Sequence, residues 1–155
     1  MSKKIGFEPD EIDTAAPTRS ARLKWVIVVN DILPPGLAIN AAICAAAATS
    51  SEISGLLGDG VADADGSWHP GLPWAGCSVL SADASTLRTI RTKAGAHEET
   101  FVADMPSAAQ QTRVYDEYRS TVAQTSSAEL EYYAVSIVGP RNRVDRLVGH
   151  LPLMR

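Results

Sequence analysis

Only two cysteines, Cys44 and Cys77, occur in the 155 residues. A lone, distant pair makes no disulfide framework and no zinc spacing. Both read as small apolar residues of core elements, which suits a reducing compartment, and the expected location is the cytoplasm. The longest apolar run, Leu37 to Ala48, is too short to span a bilayer and is interrupted by Asn40. The opening "MSKKIGFEPDEIDTAAPTRSAR" has lysines with no apolar stretch behind them, so no targeting segment is expected. There is also no excess of basic charge. Lys and Arg number 14 against 18 Asp and Glu, a net charge of -4, which argues against broad nucleic-acid binding while leaving room for a local basic patch.

The chemical motifs are sparse too. No Gly-x-Gly-x-x-Gly or Walker-type loop is present, and no serine stands in a nucleophile elbow. The string "DADG" resembles part of a calcium loop, but Val61 and Leu72 stand at its first and twelfth positions, where ligands are required. No metal and no cofactor are expected.

What is present is an α/β alternation. The run "LKWVIVV" from Leu23 is apolar on both faces, as a central strand would be. The loop "NDILPPG" leads from it into an alanine-rich helix, from about Gly36 to Thr49, with "SSEISGLLG" as a second short helix. The Gly-, Pro- and Asp-dense stretch after it reads as a long loop or short ribbon. Then come a strand at "CSVLSAD", a helix capped at Ser85, and a strand at "HEETFVADMP". One helix is expected from Ser107 to about Ala123, then a strand at "EYYAVSIVG" and a last helix begun by Pro140 and stopped by Gly149. The chain thus divides into a polar, loosely held lead, residues 1–22, and a single domain, 23–155. The expected architecture is three-layer α/β/α, with a four-stranded mixed, mainly parallel sheet.

In such sheets, ligands gather at the carboxyl ends of the strands and at helix N-termini. That edge puts forward Asn30 and Asp31, the turn glycine Gly36, and Asn40 one turn into the helix. Asn40 is the one amide among alanines, able both to donate and to accept a hydrogen bond. Asp104, near the end of the third main strand, is the candidate general base, and helix capping is its bland alternative. Thr112 and Tyr115 fall within one helical turn and could line a polar pocket; Tyr115 with Tyr118 could equally be a half-buried pair. His69, beside Trp68, would line a pocket rim or brace its loop. Cys44 among alanines has no base beside it and reads as core. Arg141, Arg143 and Arg146 form a local basic cluster that a phosphate, an acidic partner or solvent could meet.

Two stretches resemble the type II peptidyl-tRNA hydrolases: "KWVIVVNDILPPGLAINAA" and "VSIVGPRNRVDRLVGHLPLM". Within that fold, "DILPPGLAINAA", "HPGLPW", "TRVYDEY" and "GPRNRVDRLVGHLPL" resemble an uncharacterised branch, the domain-of-unknown-function family 2000. The resemblance implies the hydrolase-like fold and a homodimer. It also implies a departure, because the hydrolases carry a lysine directly after the turn glycine and this chain has Leu37. Three readings follow: a small-polar-ligand protein, catalytic or not; a divergent aminoacyl- or peptidyl-tRNA hydrolase; and a non-catalytic dimeric interaction module. No membrane association is expected.

Overall fold

The structure, a computed structural model, describes residues 3–155. In chain order the elements are β1 (Leu23–Asn30), α1 (Pro35–Glu52), a ribbon of β2 (Val61–Ala62) and β3 (Trp68–His69), β4 (Ser78–Ala82) and α2 (Ala84–Gly95), followed by β5 (Phe101–Pro106), α3 (Ala108–Gln111), α4 (Tyr115–Ala123), β6 (Tyr132–Pro140) and α5 (Arg141–Val148). Four strands make one mixed sheet in the order β4-β1-β6-β5. Trp25, Ile27 and Val29 face α1, which presents Ala38, Ala41 and Ala45 to them. Val26 and Val28 face the other way, onto Leu87 and Ile90 of α2 and Val144 and Val148 of α5. Helices cover both faces of the sheet, as the apolar run of β1 requires.

The strand directions correct the expected sheet. Only β1 and β4 pair in parallel; β1 with β6 and β6 with β5 are antiparallel. The cause lies in residues 107–131. A single 17-residue helix there would reach about 25 Å and could carry the chain across the sheet. Instead the helix breaks at Thr112, whose backbone is extended (φ -114°, ψ 154°). The segment leaves β5 and returns beside it: Pro106 pairs with Tyr132, and the Ser107 N–H donates to the Glu131 carbonyl at 2.8 Å. A connection that begins and ends at the same sheet edge delivers an antiparallel strand.

Three smaller expectations also change. No second helix follows α1, which runs to Glu52; Ile53 and Leu56 are drawn into the core, and Gly55 turns the chain at φ +69°. The cap of α2 is Asp83 rather than Ser85: its carboxylate accepts from the Thr86 N–H at 2.8 Å and from the Ser85 hydroxyl at 2.9 Å. The lead, whose first two residues lie outside the described residues, is tied to the domain rather than loose. Phe7 is buried against Trp74, with ring centroids 4.8 Å apart, and Arg22 pairs with Glu11 at 2.9 Å. At the other end the tail hydrogen-bonds along β4 (Ser81 N–H to Pro152, Met154 N–H to Val79), covering a strand edge that would otherwise be open. Among the described residues, no helix is long and apolar enough to cross a membrane.

Candidate functional site

Because α1 is apolar on every side, composition alone does not say which stripe is buried. The structure turns Ala41, Ala45 and Thr49 inward. The stripe one residue earlier, Asn40, Cys44 and Ala48, is rotated about 100° from it and stays outside. That outer stripe forms one wall of a cleft of about 530 Å³. Asp104 and Met105 of β5 line its base; the broken connection closes it with Ala109, Thr112, Arg113, Val114, Tyr115 and Tyr118. The break at Thr112 that reverses β6 therefore also builds the cleft.

Its polar groups are held by specific contacts. Gln110 reaches across from α3, its Nε2 donating to the Leu37 carbonyl at 3.0 Å and to Asn40 Oδ1 at 3.2 Å. With its oxygen engaged, Asn40 keeps its N–H₂ group as a donor. Asp104, half-buried, accepts from Arg91 Nε of α2 at 3.1 Å through Oδ2, which leaves Oδ1 for another partner. The same Arg91 lies 5.9 Å from the centroid of the Tyr132 ring. Burial, together with the Asp104 charge, pushes the Tyr118 phenol above its ordinary value, so it stays protonated at neutral pH and can donate a hydrogen bond. Tyr115 stacks obliquely on it, with centroids 5.5 Å apart.

Of the residues picked out from sequence, Asn40, Asp104, Thr112 and Tyr115 come together here. Asn30 and Asp31 do not. They line a separate hollow beneath the C-terminal tail, with Leu33 and residues 152–155. Asn30 is buried and braces its own turn, accepting from the Ile32 N–H at 3.1 Å and donating to the Tyr132 carbonyl at 3.4 Å. Gly36 lies in the first turn of α1, where an added Cβ would meet open space. His69 is in the ribbon, far along the chain from the cleft residues and lining none of its walls; its Nε2 lies 3.1 Å from Asp63 Oδ2. Asp63 in turn accepts from the Ser67 and Asp65 N–H groups, so the histidine braces a hairpin turn. No cluster of three His, Cys, Asp or Glu side chains suited to a metal ion occurs among the described residues.

Sequence reasoning missed Tyr118, Arg113 and Cys44 as cleft residues. The signal for Cys44 was its position four residues after Asn40, which puts both on one helix face. The core reading of the two cysteines is corrected, since both are exposed. In a Cys77→Ser background, Cys44 is expected to react with a thiol reagent such as Ellman's reagent in the folded state. Labelling that begins only in denaturant would contradict this placement.

Comparison with known proteins adds family and fold. A family model described as "Protein of unknown function (DUF2000)" matches residues 23–155. Among solved structures, a protein of unknown function from Agrobacterium tumefaciens, Atu0240, superposes with a TM-score of 0.79 at 15% sequence identity, over 86% of this chain and 98% of that one. No match is found among curated proteins.

Proposed function

The chain belongs to the DUF2000 family, and from that premise we propose that it binds a small polar ligand in the cleft between α1, β5 and α4. One observation carries the reading: Asn40, Asp104, Thr112 and Tyr115, widely separated in sequence, line one cavity. Its size is within the range of small-molecule sites, and its apolar wall with a few convergent polar groups is the usual composition of one. Asn40 is the orienting amide. Asp104 is the group we assign to acid-base chemistry, with Arg91 fixing one of its oxygens and the other left without a protein partner among the described residues. Tyr118 donates from the opposite wall.

A thermal-shift screen with amino acids, hydroxy acids, amides and nucleosides is expected to find saturable binders. Asn40→Ala is then expected to weaken the best of them about tenfold, the cost of one buried hydrogen bond. A screen without a hit at millimolar concentrations, or hits indifferent to Asn40→Ala and Tyr118→Phe alike, would remove the proposal.

The finer fold assignment, to the type II peptidyl-tRNA hydrolase class, rests on the strand-turn-helix opening and the Gly-Pro helix with Gly-His-Leu at the end. The hydrolase activity draws no support from the first helical turn, where Leu37 is exposed and uncharged. A second reading, the dimeric module, draws on Ile39 and Ile43, four residues apart on α1, which leave one side of that helix apolar and exposed. It predicts a dimer in sedimentation experiments that the double substitution Ile39→Glu, Ile43→Glu turns into a monomer; a monomeric wild type overturns it.

A further inference from the structure

The three C-terminal arginines have separate environments. Arg141 Nε donates to the Ala21 carbonyl at 3.2 Å, and Arg143 lies 3.7 Å from Glu99. Asp145, which interrupts the cluster in sequence, is turned away to pair with Lys24. Arg146 alone points elsewhere, into a groove between α5 and α2 on the sheet face opposite α1.

The other side of that groove is a stripe of α2. Ser85, Thr89 and Lys93 recur every fourth residue and so share one face along the whole helix. Opposite them stand Arg146 and, four residues on, His150. The groove has a volume of about 300 Å³, and its lining contains two permanent cations, an imidazole and three hydroxyl side chains, with no carboxylate. Of the acids nearest to these residues in sequence, Asp145 pairs with Lys24 and Asp83 caps α2. The hydroxyls have local work: Ser85 donates to Asp83, and Thr89 to the Ser85 carbonyl. They make the wall polar, while Lys93, Arg146 and His150 supply the hydrogen-bond donors. Neither Lys93 nor Arg146 has a carboxylate within ion-pair distance among the described residues.

We propose that this groove binds the phosphoryl group of a small phosphate monoester or of free phosphate. Arginine offers a fork matched to two phosphate oxygens, lysine a point charge, and the imidazole a third donor from a second direction. A neutral ligand would leave two cations uncompensated. A nucleic acid would need the basic surface to continue, and here it stops: the neighbouring arginines are engaged and the protein is acidic overall. The site is independent of the α1 cleft, so either can fail without the other.

The test is an NMR titration of the ¹⁵N-labelled full chain at constant ionic strength. The probes are inorganic phosphate, AMP, glucose 6-phosphate, a short single-stranded RNA and, as a control, sodium chloride. Saturable shifts at Ser85, Thr86, Thr89, Lys93, Arg146 and His150 are expected with inorganic phosphate or a monoester, with millimolar affinity or tighter. Tighter binding of a monoester than of phosphate assigns the organic source, and the reverse assigns free phosphate. Lys93→Ala and Arg146→Ala should each weaken binding about tenfold, one charge-assisted hydrogen bond each. Both side chains are exposed, so their thermal midpoints should stay at the wild-type value. Shifts equally produced by chloride, no saturation with any phosphate, unchanged affinity in both variants, or binding of RNA alone would each overturn the proposal.

Discussion

Leu87→Ala is expected to destabilise the protein by about 3 kcal/mol, read as a fall in the urea midpoint with an unchanged slope. Leu87 is fully buried and anchors α2 beneath the sheet, packed with Val26, Val28, Ile137 and Val144. Truncation removes three carbons and leaves a cavity, and both faces of the surrounding strands are already filled, so little collapse is available. The effect reaches the cleft, because α2 carries Arg91, whose Nε holds Asp104. A loss below about 1 kcal/mol would mean that α2 is not packed as described.

Ser136→Ala should cost about 2 kcal/mol for a single oxygen atom. The Trp25 indole N–H donates to the Ser136 hydroxyl at 2.8 Å, and Ser136 and Thr49 are hydroxyl-to-hydroxyl at 2.7 Å. Thr49 donates onward to the Ala45 carbonyl at 2.8 Å, so the Ser136 proton points to Thr49 and each donor has one acceptor. The chain joins β1, β6 and α1 inside the apolar layer. Removing its middle leaves the indole N–H buried without an acceptor, which is the costly direction of loss. Thr49→Val keeps the shape and removes only the far end, so its cost should be the smaller, about 1 kcal/mol. Reversal of that order in denaturant melts would contradict the donor assignment. Thr49 sits beside Ala48 as Ala45 sits beside Cys44, so the buried chain fixes how far α1 is rotated. The same rotation sets the cleft wall.

β1 could be read from its β-branched run, because both of its faces are buried and each neighbour in sequence needed to be apolar. α2 and α5 were readable from their end signals, and in α2 the buried residues Leu87, Ile90 and Ala94 fall at helical spacing. α1 was readable as a helix but not as an orientation, since alanine serves both faces and gives no periodicity; that is why Cys44 was placed inside. Strand direction was hidden in the break at Thr112. A three-residue break, extended at Thr112 and Val114, separates a helix long enough to cross the sheet from a connection that returns to the same edge. Asn40, Asp104, Thr112 and Tyr115 were readable as polar side chains that needed a reason. Asn30 had a local one, the turn after β1, and His69 another, the Asp63 hairpin. Arg91 gave no sign of its link to Asp104, because that contact joins two elements through a packing angle that no local pattern encodes.

The central claim is that the α1–β5–α4 cleft is the ligand site. Chemical-shift mapping of the best small polar binder tests it most directly. Perturbations are expected to concentrate on Asn40, Cys44, Thr112, Tyr115 and Tyr118. Perturbations centred instead on Asn30, Asp31 and the C-terminal tail would contradict it.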